Sequence, residues 1–182
     1  MTYKEVQKFR QPWIWMILAI PGLLIVGLFA LAINRQILHG QKFGNHPMSD
    51  NGLIVTFILV LLLFVLLAML AGFAKLTTLV DENGIRYRFF PFQFNFHKIG
   101  WDEMDQCNVV SYSPVREYGG WGVRSGKNGK AYNVSGDKGL LIRLKTGKSI
   151  LVGTQDDERI NDFLVSLRLR GDIKVLNKNN IE

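Results

Sequence analysis

The residues of this 182-residue chain that could do chemistry are few, and their spacing fits none of the familiar sites. Thr146-Gly147-Lys148-Ser149 has the close of a phosphate-binding P-loop. That loop needs a first glycine, four intervening residues, then Gly-Lys-Ser/Thr at the start of a helix, so that backbone amides wrap the phosphates. Ile142 stands where the first glycine should be and a strand pattern follows, so the segment reads as a hairpin turn. Gly119-Gly120-Trp121-Gly122 lacks the dinucleotide-binding spacing and reads as a sharp bend beside a packed Trp121. Gly136 and Gly139 read as turn formers ahead of the last hairpin.

Acid/base and metal chemistry find little better material. His39, His46 and His97 pair with neither Cys107 nor a carboxylate at metal-ligand spacing. His39 and His46 share a loop and read as polar surface. Cys107 is the only cysteine, so no intramolecular disulfide can form, and its apolar-leaning surroundings mark it as core filler. Asp102, Glu103 and Asp105 form an acidic cluster that could serve as an acid/base pair but reads as a solvated bend. No nucleophile motif precedes a helix. The expectation is a protein that is not an enzyme, with no catalytic residue, cofactor or metal site.

The elements that would position any site are dominated by two stretches without a charged residue, 13–33 and 53–73. Each holds 21 residues, which as helix spans roughly 31 Å, matched to a hydrocarbon core of about 30 Å. A signal peptide has a shorter apolar region, although Ala30-Leu31-Ala32 resembles a cleavage tripeptide. A core helix of a soluble protein keeps a polar stripe, and neither stretch has one. Pro21-Gly22 would be costly in a soluble helix but is common in a membrane helix. Both stretches are therefore expected to span a membrane, with Trp13, Trp15 and Phe73 near the interfaces. Neither carries an ionisable group, so no ion or substrate path is expected through them. Ala68 and Gly72 form a small-x-x-x-small pair, the candidate helix-packing residues.

Charge sets the expected orientation. Lys4, Lys8 and Arg10 precede the first stretch and Lys75, Arg86 and Arg88 follow the second, against Arg35 and Lys42 in the loop 34–52. Positive flanks stay inside, which predicts a multi-pass membrane protein with N- and C-termini in the cytoplasm and the loop outside. The net charge of +7 (22 basic, 15 acidic residues) is spread along the chain and suits an anionic membrane surface. No run of five Lys/Arg occurs, so no nucleic-acid partner is expected.

Residues 1–74 are thus expected to form a transmembrane hairpin, 75–171 a cytoplasmic domain and 172–182 a polar tail. In the domain, Asn83-Gly84 separates 76–80 from the alternating 85–89 as a hairpin, and 140–145 with 149–152 forms another. Residues 92–96, 107–112, 121–124 and 131–134 read as further strands, giving a small sandwich or partly open barrel rather than a parallel sheet. Thr154 to Asp157 reads as a capping pattern opening a helix whose stripe is Ile160, Phe163, Leu164 and Leu167, with Gly171 as its stop.

This order of elements, together with Tyr118-Gly119-Gly120-Trp121-Gly122-Val123-Arg124, the segment 131–139 and Gly153-Thr154-Gln155, resembles small bacterial membrane proteins that carry two membrane helices ahead of a bacterial pleckstrin-homology-like domain. The resemblance covers roughly 75–169 by motif. It implies an α+β membrane protein, a PH-like antiparallel β-sandwich or partly open barrel capped by one C-terminal helix, and it implies no reaction. The expected function is non-catalytic binding at the cytoplasmic face, to a protein partner, to a second copy of the chain or to anionic membrane lipids. Arg86, Arg88, Arg143, Lys145 and Lys148 form the candidate anion-contacting surface if their strands expose the faces the alternation implies. The first strand-to-strand loop, Asp81 to Gly84, is acidic where phosphoinositide-binding members of the superfold are basic. An accessory or regulatory subunit of a membrane transporter or enzyme is the alternative, and a membrane enzyme using the Asp102 to Asp105 cluster a third.

Overall fold

Alternating apolar residues on either side of the Asn83-Gly84 turn bury one face of a four-stranded antiparallel sheet. In the computed structural model, which describes residues 1–126 and 129–170, its strands are β1 (Tyr3–Lys8), β2 (Lys75–Asp81), β3 (Gly84–Phe90) and β4 (His97–Ile99), in that spatial order. Leu76 and Val80 of β2 and Ile85, Tyr87 and Phe89 of β3 face inward and are buried.

The second sheet has the order β5 (Met104–Ser111), β8 (Lys138–Leu144), β9 (Ser149–Thr154), β7 (Gly129–Asn133), β6 (Gly122–Gly126). Leu140 and Ile142 of β8, Val152 of β9 and Tyr132 of β7 share one core with the inward residues of the first sheet. A short helix α3 (Pro114–Tyr118) connects β5 to β6, and α4 (Asp157–Leu169) closes the unit. Ile160, Leu164 and Leu167 of α4 are buried in the same core and Phe163 is partly buried against it, as the stripe predicts. The two sheets remain separate, so the architecture is an unclosed α+β arrangement.

Four local expectations need correction. Residues 92–96 are not a strand: Pro91 has no N–H to give a ladder, and the Gln93 side chain accepts from the Phe89 amide while the Gln93 amide donates to the Phe89 carbonyl, closing a tight loop. The second sheet is mixed, because β7 runs parallel to β9. Thr154 does not cap α4. Its hydroxyl accepts from the Asp156 amide, and Asp156 is the cap, accepting from the Arg159 amide at 3.3 Å. Residues 3–8, expected as a flank of the hairpin, instead pair in antiparallel register with all of 75–80. Gly171 and the tail 172–182 lie outside the described residues.

β1 is bound to the second sheet through polar groups, which explains why no apolar alternation announces it. Gln7 is fully buried and donates to the Gly153 carbonyl at 2.7 Å. The Glu5 carboxylate accepts from the Tyr3 hydroxyl at 2.8 Å, the Gln7 amide at 2.9 Å, the Thr154 hydroxyl at 2.8 Å and the Gln155 amide at 2.7 Å. Burial and the adjoining carboxylate push the Tyr3 hydroxyl well above its usual range, so it stays a donor at any physiological pH. Glu5→Ala strips the acceptor from four donors, and a loss of about 2 kcal/mol is expected. Chemical denaturation of the detergent-solubilised protein, followed by tryptophan fluorescence, measures it; an unchanged midpoint would contradict the role given to Glu5.

Residues 10–72 form a separate unit. Its helices α1 (Pro12–Ile33) and α2 (Asp50–Phe73) are each long and apolar enough to cross a membrane, and α1 runs on into a π-helical turn, Asn34–Leu38. The chain stays helical through Pro21. Trp15 lies against Gly72, Gly22 against the Phe64 ring and Phe29 stacks on Phe57 at 5.2 Å, so the helices pack antiparallel along positions seven apart in α1. Much of the remaining helix surface is bare: Leu23, Leu28, Leu59 and Leu62 are among many exposed apolar residues.

Candidate functional site

The alternation in β3 and β8 does turn the predicted basic residues outward, but onto different sheets. Arg86 and Arg88 project from the outer face of the first sheet, opposite the inward Ile85, Tyr87 and Phe89. Arg143, Lys145 and Lys148 are exposed at the outer face and turn of the β8–β9 hairpin in the second sheet. Because the two sheets share a core between them, these outward faces point away from each other, and the five residues do not form one surface.

The first sheet gathers more cations than the sequence indicated. Register places Lys4, Leu79, Arg86 and Lys98 in one cross-strand row, Val6, Thr77 and Arg88 in the next, and Lys8, Lys75 and Phe90 in the last. Lys4, Lys8 and Lys98 are exposed. Arg86 is held by Asp81 at 2.6 Å and is largely neutralised. Arg88 lays its guanidinium over the Phe96 ring at 4.6 Å from the centroid and donates to the Phe94 carbonyl at 3.3 Å. Lys4, Lys8 and Lys98 were missed because their common face exists only after long-range pairing, and no local pattern encodes it.

The second sheet carries the concave feature. Tyr112, Tyr118, Ala131 and Leu151 form a small buried cluster beneath α3, with Val110 and Leu141 packed against it. Beside it runs a groove of about 570 Å³ edged by Arg143, Asp105 and Glu117. Burial pushes the Tyr112 hydroxyl up to about 12, against the pull of the hydrogen bond from Asn133 at 2.8 Å. Glu117 accepts from the Ser113 amide at 2.7 Å and so caps α3. The groove thus sets one guanidinium against two carboxylates, and its buried tyrosine hydroxyls are not suited to proton transfer.

The glycine-rich motifs converge on structure. α3 ends at Gly119, Asn133 accepts from the Gly122 amide at 2.9 Å, the Trp121 indole donates to the Gly136 carbonyl at 3.1 Å, and the side chains of Gln155 and Ser135 are hydrogen-bonded. Thr146-Gly147-Lys148 is the β8–β9 turn, with the Gly147 amide donating to the Leu144 carbonyl. In the acidic cluster, Glu103 accepts from the Gly100 amide at 2.9 Å and fastens a single turn of 3-10 helix. Cys107 is buried, its thiol pushed up to about 12 by burial. His97 stacks on Tyr87, and His39 lies 2.9 Å from the Asn34 carbonyl. Among the described residues, no three His, Cys, Asp or Glu side chains gather in a way that could hold a metal. Of the packing pair, Gly72 sits beside Trp15 and Ala68 is half-buried.

No protein-family model matches the chain, and no curated protein is similar to it.

Proposed function

We propose that the chain is a two-pass protein of the bacterial inner membrane that presents a non-catalytic, PH-like β domain to the cytoplasm, as a binding module for a protein partner, another copy of itself or anionic lipid. The observation that carries this reading is the pairing of β1 with β2. The strand before the helices and the strand after them are neighbours in one sheet, in register from Tyr3↔Val80 to Lys8↔Lys75. Two helices inserted between paired strands must leave and return on the same side of a bilayer, as a hairpin does. The bare apolar sides of α1 and α2 support a hydrocarbon surround, since soluble proteins seldom leave such continuous surface in water. Lys4, Lys8, Arg10 and Lys75 at the entry and exit favour the cytoplasmic side for the sheets.

Cysteine labelling in intact cells tests this orientation. His46→Cys in the connecting loop should react with a membrane-impermeant maleimide, and Asn83→Cys in the β2–β3 turn only after permeabilisation. The buried native Cys107 contributes little background. Labelling of position 83 from outside would overturn the proposal.

A further inference from the structure

The loop 91–96 displays exposed aromatic rings with cations beside it. Phe92 and Phe94 are 66% and 72% exposed. Exposed phenylalanines on a tight loop are unusual, and these are held in place: Gln93 clamps the loop to Phe89, Phe94 meets Phe90 edge to face at 5.8 Å, and Arg88 ties down Phe94 and Phe96. The loop leaves β3 at Phe90, whose partner is Lys75, whose other partner is Lys8. Lys75 follows α2 by two residues and Lys8 precedes α1 by four, so the loop springs from the end of the sheet at which the chain enters and leaves the helices. The opposite end carries the acidic turn of Asp81 and Glu82. The end from which the loop springs thus gathers aromatic and basic groups, whereas at the opposite end Asp81 is paired with Arg86, and Lys4 and Lys98 lie in the adjoining row.

We infer that the loop inserts Phe92 and Phe94 into the interface of the anionic leaflet, where Lys8, Lys75 and Arg88 meet the lipid phosphates. This rests on the two-pass reading above. Phenylalanine rings suit the boundary between headgroups and acyl chains, and cations beside them are drawn by the negative surface potential. A lipid-facing role also accounts for rigid display of rings that nothing within the unit covers.

Depth measurement by spin labelling separates the possibilities. Full-length protein carrying a nitroxide at Phe94→Cys, at Asn83→Cys or at Leu62→Cys in the middle of α2 is reconstituted into vesicles of phosphatidylcholine, with and without phosphatidylglycerol. In the anionic vesicles, the ratio of collision with oxygen to collision with a water-soluble nickel complex should be several-fold higher at 94 than at 83, and highest at 62. Adding phosphatidylglycerol should raise the ratio at 94, and Lys8→Glu with Lys75→Glu should abolish that rise. A label at 94 as open to nickel as that at 83, while 62 stays shielded, overturns the inference and leaves the two-pass reading standing. A label at 62 open to nickel overturns both. An equal ratio at 94 in the two kinds of vesicle overturns the part given to the cations.

Discussion

Removing residues 1–9 is expected to destroy the β fold, whereas removing the two helices is expected to spare it. β1 contributes buried Tyr3 and Gln7, and Phe9 packs on Phe89 with ring centroids 6.1 Å apart. Its loss also bares the whole edge of β2, including backbone groups that β1 satisfies from Lys75 to Val80. Burial of the two aromatic residues alone is worth about 5 kcal/mol or more, comparable with the entire stability of a typical domain. An unpaired β2 edge next to apolar core also invites aggregation. A fragment of residues 75–182 should therefore be insoluble or molten, although the sequence presents it as a self-contained domain. By contrast, Lys8 and Lys75 are partners in the sheet, so a short Gly/Asn linker joining Arg10 to Phe73 would turn β1 and β2 into an ordinary hairpin. That linked chain should be soluble without detergent and melt cooperatively by circular dichroism. A fragment 75–182 that melts at the same temperature as the linked chain would contradict the placement of β1.

Gly84→Ala should destabilise the fold by about 3 kcal/mol, far more than a surface turn substitution normally costs. Gly84 closes the β2–β3 hairpin at φ +132°, a conformation that a side chain disfavours, and it is buried. A Cβ there would also stand 2.1 Å from the Ile99 carbonyl oxygen, so β4 would have to move off β3. The neighbouring Asn83 is exposed, and Asn83→Ala should cost well under half as much. Thermal melts of the two variants in the linked, helix-free chain would measure the contrast. Equal melting temperatures would show that the approach of β4 to Gly84 is not the constraint described.

Elements specified by near neighbours were legible in the sequence. The hairpins at Asn83-Gly84 and Gly147, the stripe of α4 and the two apolar helices follow from alternation, turn chemistry and helical periodicity, and each is present. What escaped was specified at long range. β1 reads Tyr-Lys-Glu-Val-Gln-Lys, with a polar residue at two of its three inward positions, because Glu5 and Gln7 face hydrogen-bonding groups of β9 and the residue beyond it instead of an apolar core. The parallel contact of β7 with β9 has no turn to announce it. The aromatic run 92–96 imitates a strand by composition, but Pro91 and the Gln93 clamp make it a loop. The candidate site divided for the same reason: alternation told which way Arg86 and Arg143 face, but not that their strands belong to different sheets.

The interruption of the first sheet between β1 and β2 also sets an order on biosynthesis. β1 leaves the ribosome before β2 and cannot pair with it until α1, the loop and α2 have all been made. In the proposed topology both helices must by then have been handed to the bilayer as a returning pair, or β1 and β2 would emerge in different compartments. In that topology the sheet can be completed only after correct threading, and a mis-threaded chain would leave the β2 edge open.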